Sequence, residues 1–121
     1  MIWVLSESER LSHRARKALT NPGTRRFVSV VSIWEILLKH QTGKLLANHD
    51  IDRVVDAIER QSSWTVLGME TQHLRTFSSM LRFDEHKDPF DRLLIAQGIH
   101  EGLDIVTADL QFAKYGVKVV W

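Results

Sequence analysis

Three carboxylates stand out by where they fall in the chain. Glu35 follows the β-branched run "RFVSVVS" by a few residues, Asp91 sits in "HKDPFDRLLIAQ" three positions after Asp88, and Asp109 ends "LDIVTAD". Acids brought together from such distant positions repel one another unless a cation neutralises them, and an all-oxygen ligand set suits Mg²⁺ or Mn²⁺. That centre fits hydrolysis of a phosphodiester, because the ion lowers the pKa of a bound water and offsets charge on the phosphate oxygens. Arg92 and Lys39 are the candidate phosphate contacts; Lys39 lies one turn beyond Glu35 on the same helix face.

Each carboxylate also has a purely structural reading. Ser32 and Glu35 have capping-box spacing. Asp88 is placed to cap a helix with Pro89 at its first position, which puts Asp91 where a helix dipole favours negative charge. Asp109 is placed to cap the short segment "LQFAKY". We assign Asp88 to capping and His86 to a hydrogen bond at the helix start. Ser32 and Thr107 join them as caps or supports of the ligands.

The elements that must position these residues can be read from periodicity. Ser6 and Glu9 have capping-box spacing ahead of a helix marked by Leu11, Ala15 and Leu19, and "TNPGT" at 20–24 is a turn. "RFVSVVS" reads as a buried strand and "SIWEILLKHQTGKL" as a helix ending near Gly43. "DIDRVVDAIERQ" carries Ile51, Val54, Val55 and Ile58 on one face. "WTVLGM" is a short strand, Leu74, Phe77 and Leu81 recur at helical spacing, and a helix runs from Asp88 to about Glu101, with Gly102 as its stop. "LDIVTAD" and "VKVVW" are the last strands. Alternating strands and helices predict one α/β domain over 1–121 with a mainly parallel sheet covered on both faces. In open sheets of this kind sites form beyond the carboxyl ends of the strands, where Glu35 and Asp109 fall.

Bulk properties bound the function without choosing it. In 121 residues, 44% are hydrophobic and 26% charged, which supports a folded core and argues against disorder. The net charge of +1 gives no decision about partners, since strong nucleic-acid binders are usually more basic, and it leaves room for a local basic patch such as "RARK" at 14–17. The absence of cysteine excludes disulfides and thiolate metal sites. No apolar run is long enough for a membrane span, and the start is charged too soon for a signal peptide, so a cytoplasmic protein is the expectation. His13, His40, His49, His73 and His100 read as surface residues. Trp34, Trp64 and Trp121 read as core or interface rather than base-stacking platforms, and Trp3 as an exposed partner contact.

"SVVSIWEILLKHQTGKL", "HKDPFDRLLIAQGIHEGLDIVTAD" and "FAKYGVKVVW" closely resemble the PIN-domain family, in particular the VapC-like toxins of bacterial toxin–antitoxin pairs. The likeness covers nearly the whole chain. It implies a three-layer α/β/α domain, a Mg²⁺- or Mn²⁺-dependent endoribonuclease acting on RNA, a cognate antitoxin that blocks it, and a frequent homodimer. The family's acidic residues map onto Glu35, Asp91 and Asp109.

One departure bears on activity. Related sequences begin with a strand of the form "LLLDTHxLLW" whose Asp is the first metal ligand, whereas "MIWVLSESERLS" matches only the part after that Asp. The expectation is a PIN-like domain truncated at its N-terminus relative to the family. Its central sheet position would be closed by pairing of the flanking strands, or filled by another chain, because a column of unpaired backbone groups costs about 1–3 kcal/mol for each buried group. Three acids would hold the ion less tightly, and activity would be reduced or lost. The alternative function is a catalytically inactive PIN-like protein that binds an antitoxin or another protein. A misassigned start, with the strand encoded upstream, is a further reading.

Overall fold

The computed structural model describes residues 2–3, 11–44, 47–61 and 63–121. The Ser6–Glu9 capping pair and the Trp3 side chain lie outside the described part. The strands are β1 (Ile2–Trp3), β2 (Arg26–Ser29), β3 (Trp64–Leu67), β4 (Ile105–Val106) and β5 (Val119–Val120). The helices are α1 (His13–Thr20), α2 (Val30–Gln41), α3 (Ile51–Glu59), α4 (Thr71–Ser79) and α5 (Pro89–Glu101), with a 3₁₀ helix over Leu110–Tyr115.

All strand pairs in the sheet are parallel, in the order β3-β2-β1-β4-β5. The centre is therefore not a gap. Ile2 pairs with Phe27 on one side and Ile105 on the other, and Trp3 with Val28 and Val106. This corrects the expectation of a missing strand: two β-favouring residues of the chain itself occupy the central position, so neither direct pairing of β2 with β4 nor a foreign strand is required. Residues 1–6 include no acid.

A second correction concerns "RFVSVVS". The strand stops at Ser29, and Val30, Val31 and Ser32 already belong to α2. Ser29 ends the strand by accepting the Val31 N–H at 3.0 Å through its hydroxyl, an N-cap that outweighs the β preference of the two valines. Because α2 starts three residues early, Ser32 is not its cap.

Ile105 and Val106 point to opposite faces of the sheet, as successive strand residues must. Ile105 joins a core cluster with Val31, Leu94, Ile95, Phe112 and Tyr115, whereas Val106 joins Ala15, Leu19 and Val120. At Gly98 a Cβ would lie 2.9 Å from Ile105 Cδ1, so the missing side chain lets α5 lie close on β4. Helix α5 stops at Gly102, whose φ of 66° is the left-handed cap its sequence predicts. No helix among the described residues is long and apolar enough to cross a membrane.

Candidate metal centre

The sheet reverses its winding at β1: the chain builds β2 and β3 on one side of it, β4 and β5 on the other. The crevice beyond the carboxyl ends of the strands at such a switch point is where α/β sheets place ligands. β2 leads into α2 and Glu35; β4 leads through Thr107 to Asp109.

Asp91 reaches the same region from the start of α5. Asp88 caps that helix, accepting the Phe90 N–H at 2.9 Å and the Asp91 N–H at 3.4 Å, with Pro89 at the first helical position. Asp91 is thereby spared a capping role. Its Oδ2 lies 3.0 Å from His86 Nε2, and His86 Nδ1 lies 2.9 Å from the Tyr115 hydroxyl. A carboxylate accepts, so Nε2 carries the proton; in the neutral ring Nδ1 then accepts from Tyr115. His86 is buried and also donates its backbone N–H to the Phe83 carbonyl at 3.1 Å. With both ring nitrogens engaged, it holds Asp91 in orientation.

Asp109 has a double role. Its Oδ1 accepts the Gln111 N–H at 2.9 Å and caps the 3₁₀ helix, as its sequence position suggests. Its own N–H donates to the Thr107 hydroxyl at 3.1 Å, and Thr107 is buried and bonded through its N–H to the Val120 carbonyl. Thr107 thus fixes the backbone from which Asp109 projects.

One ligand atom from each of His86, Asp91 and Asp109 lies within 4.8 Å of the other two. The two carboxylates are thus spaced like donors about 2.0–2.5 Å from a common ion, while His86, engaged through both ring nitrogens, supports Asp91. Burial holds the Asp91 carboxyl above the ordinary carboxylate range; the His86 hydrogen bond opposes this, and the negative charges of Asp88 and Asp109 add to it. A cation would relieve that strain.

Glu35 is buried on α2 and is not a member of this cluster. It lies in the second turn of α2, six residues past the Ser29 cap, so the capping-box reading that competed with a site role no longer applies. Ser32, one turn before Glu35, is buried and its hydroxyl has no hydrogen-bond partner among the described residues. An oxygen left unsatisfied beside a buried acid suits a site meant to take further polar groups.

The basic candidates separate. Lys39 remains on α2 one turn beyond Glu35 and is half-buried. Arg92 turns onto α4, its guanidinium 4.5 Å from the Phe77 ring centroid and 3.5 Å from the Leu81 carbonyl. Its geometry is that of a clamp between α4 and α5. Two further residues have no signal in the sequence. Gln97 is fully buried. His73, expected at the surface, is fully buried too, accepting the Glu70 N–H at 3.0 Å through Nδ1 and reaching Glu101 at 2.9 Å through Nε2. Neither stands out by periodicity; only their place between elements marks them.

A separate groove of about 690 Å³ runs between α3 and the sheet, lined by Val28, Val54, Ala57, Ile58 and Trp64 among others. None of the candidate site acids lines it.

A family model for the PIN domain matches residues 1–118. The chain belongs to the PIN domain family. No curated protein matched it. PIN domains are generally nucleases and typically depend on a divalent metal, and the His86–Asp91–Asp109 cluster lies just past the carboxyl end of β4.

Proposed function

We propose that this PIN domain is an endoribonuclease toxin of the VapC-like kind, dependent on Mg²⁺ or Mn²⁺ and restrained by a cognate antitoxin protein. The observation that carries the reading is the convergence of Asp91 and Asp109 within 4.8 Å beyond the carboxyl ends of the strands. Asp91 and Asp109 would hold the ion, with Glu35 as the third acid. A bound divalent ion supplies a water of lowered pKa and neutralises charge on the phosphate. The chain's own groups do the positioning: His86 orients Asp91, Thr107 fixes Asp109, and Asp88 sets where α5 begins. Core clusters on both faces of β4 favour the three-layer arrangement within a single domain, and a homodimer completes the proposal.

The test is cleavage of single-stranded RNA with Mn²⁺ by the parent protein and by Asp91→Asn. The substitution should abolish cleavage; unchanged cleavage rejects the site.

A second reading keeps the PIN fold and drops catalysis, leaving a protein that binds an antitoxin or another partner. It is favoured by one observation: β1 occupies the centre of the site's rim, yet residues 1–6 carry no carboxylate. Calorimetry with Mn²⁺ separates the two, because a binding-only protein takes up no metal at millimolar concentration.

A further inference from the structure

We infer that Gln97 is a positioning residue for the metal centre, acting through its hydrogen bond to Ser29, which sets α2 in register against α5. The inference rests on the metal-dependent reading above.

Gln97 and Ser29 are both fully buried. The Ser29 hydroxyl donates to Gln97 Oε1 across 68 positions of sequence while accepting the Val31 N–H at 3.0 Å. Gln97 Nε2 donates to the Gly68 carbonyl at 3.2 Å. One amide thus grips the origin of α2 and the end of the neighbouring β3. A second contact lies further along: the Trp34 and Phe90 rings meet edge to face with centroids 4.7 Å apart. As the α2 contact moves forward from Ser29 to Trp34, the α5 contact moves backward from Gln97 to Phe90. The two helices therefore run antiparallel.

In that register Glu35 and Asp91 come to the same level, since each lies six residues from the Ser29–Gln97 bond, about 9 Å along its helix. Apolar packing alone tolerates small slips of one helix on another. A directional bond at the helix cap does not, because sliding α2 would strand a buried hydroxyl and a buried amide. Ligand placement is sensitive at this scale, and partners that orient ligands commonly change metal affinity 10–100-fold when removed.

The test compares Mn²⁺ affinity by calorimetry in the parent, Gln97→Met, Ser29→Ala and the double variant, each at a temperature where circular dichroism shows it fully folded. Leu19→Ala, in the other core cluster and remote from the site acids in sequence, serves as a control for lost stability. Each single variant should bind Mn²⁺ at least about tenfold more weakly. The double variant should lose little more than either single one, the non-additivity of residues acting through one bond. The Leu19→Ala protein should melt lower yet keep the parent's affinity. If the parent binds Mn²⁺ and both single variants bind it equally well, Gln97 is only a structural residue and the inference falls. Should Gln97→Met not fold, Ser29→Ala, which keeps the Gln97–Gly68 bond, decides the question alone. A parent that binds no Mn²⁺ overturns the functional reading itself, and this inference with it.

Discussion

His86 Nε2 and Asp91 Oδ2 lie 3.0 Å apart, with the Tyr115 hydroxyl 2.9 Å from the opposite ring nitrogen. Five residues of sequence and one helix start separate the two side chains, and the buried ring makes the carboxylate's direction a property of the core. Removing the ring should therefore act on metal binding. His86→Ala should weaken Mn²⁺ binding by about 10–100-fold. Tyr115→Phe should act less on affinity and cost about 1–2 kcal/mol of stability, because it leaves a buried ring nitrogen unpaired. Calorimetry and chemical denaturation check both, and unaltered affinity in His86→Ala would separate the ring from the site.

Asp91 itself should trade stability for binding. Burial raises its carboxyl above the ordinary value of 3.8, and the Asp88 and Asp109 charges add to the rise against the His86 hydrogen bond. The folded chain thus holds that proton more tightly than the unfolded chain. Stability is undiminished by this group below 3.8 and is lost as pH climbs through the raised value. Asp91→Asn has no charge to desolvate and can still accept from His86. With chelator present it should melt a few degrees above the parent at pH 7, with the difference vanishing under acid conditions. Melting curves across pH decide it; a parent that is the more stable of the two at neutral pH refutes the assignment.

Glu35 lies too deep in α2 to cap that helix. Glu35→Gln should leave stability within about 1 kcal/mol of the parent, since the amide matches the acid in shape. Mn²⁺ binding should nevertheless weaken about tenfold if Glu35 completes the ligand set. Matched thermal melts and titrations distinguish this from a residue that only packs: equal binding in parent and variant would exclude Glu35 from the centre.

Arg92 makes the opposite prediction. With its guanidinium over Phe77, Arg92→Met should cost about 0.5–1 kcal/mol of stability. Its effect on KM for RNA should be smaller than that of Lys39→Met. A large rise in KM with unchanged stability would return Arg92 to the phosphate path.

Much of this architecture is local and legible in the chain. Asp88-Pro89 starts α5 and Gly102 stops it because capping and left-handed backbone are properties of single residues. The alternation of strand and helix points to the parallel sheet for the same reason. Other features escape because they depend on competition between local signals. The β-branched Val30 and Val31 read as strand, but the Ser29 hydroxyl claims the Val31 N–H and turns them into helix. The central strand looks absent when resemblance is judged by a missing Asp, whereas pairing needs only extended backbone, which Ile2 and Trp3 supply.

The order of amino acids alone settles which residue types are available: two aspartates at element ends, a histidine just before a helix start, and a family kinship across 1–118. Which of them meet depends on how the chain packs. His86 finds Tyr115 from 29 positions away, and Ser29 finds Gln97 from 68. Contacts of that range depend on how helices seat on a sheet, and seating is fixed by summed packing of the whole core, which no short stretch of sequence encodes.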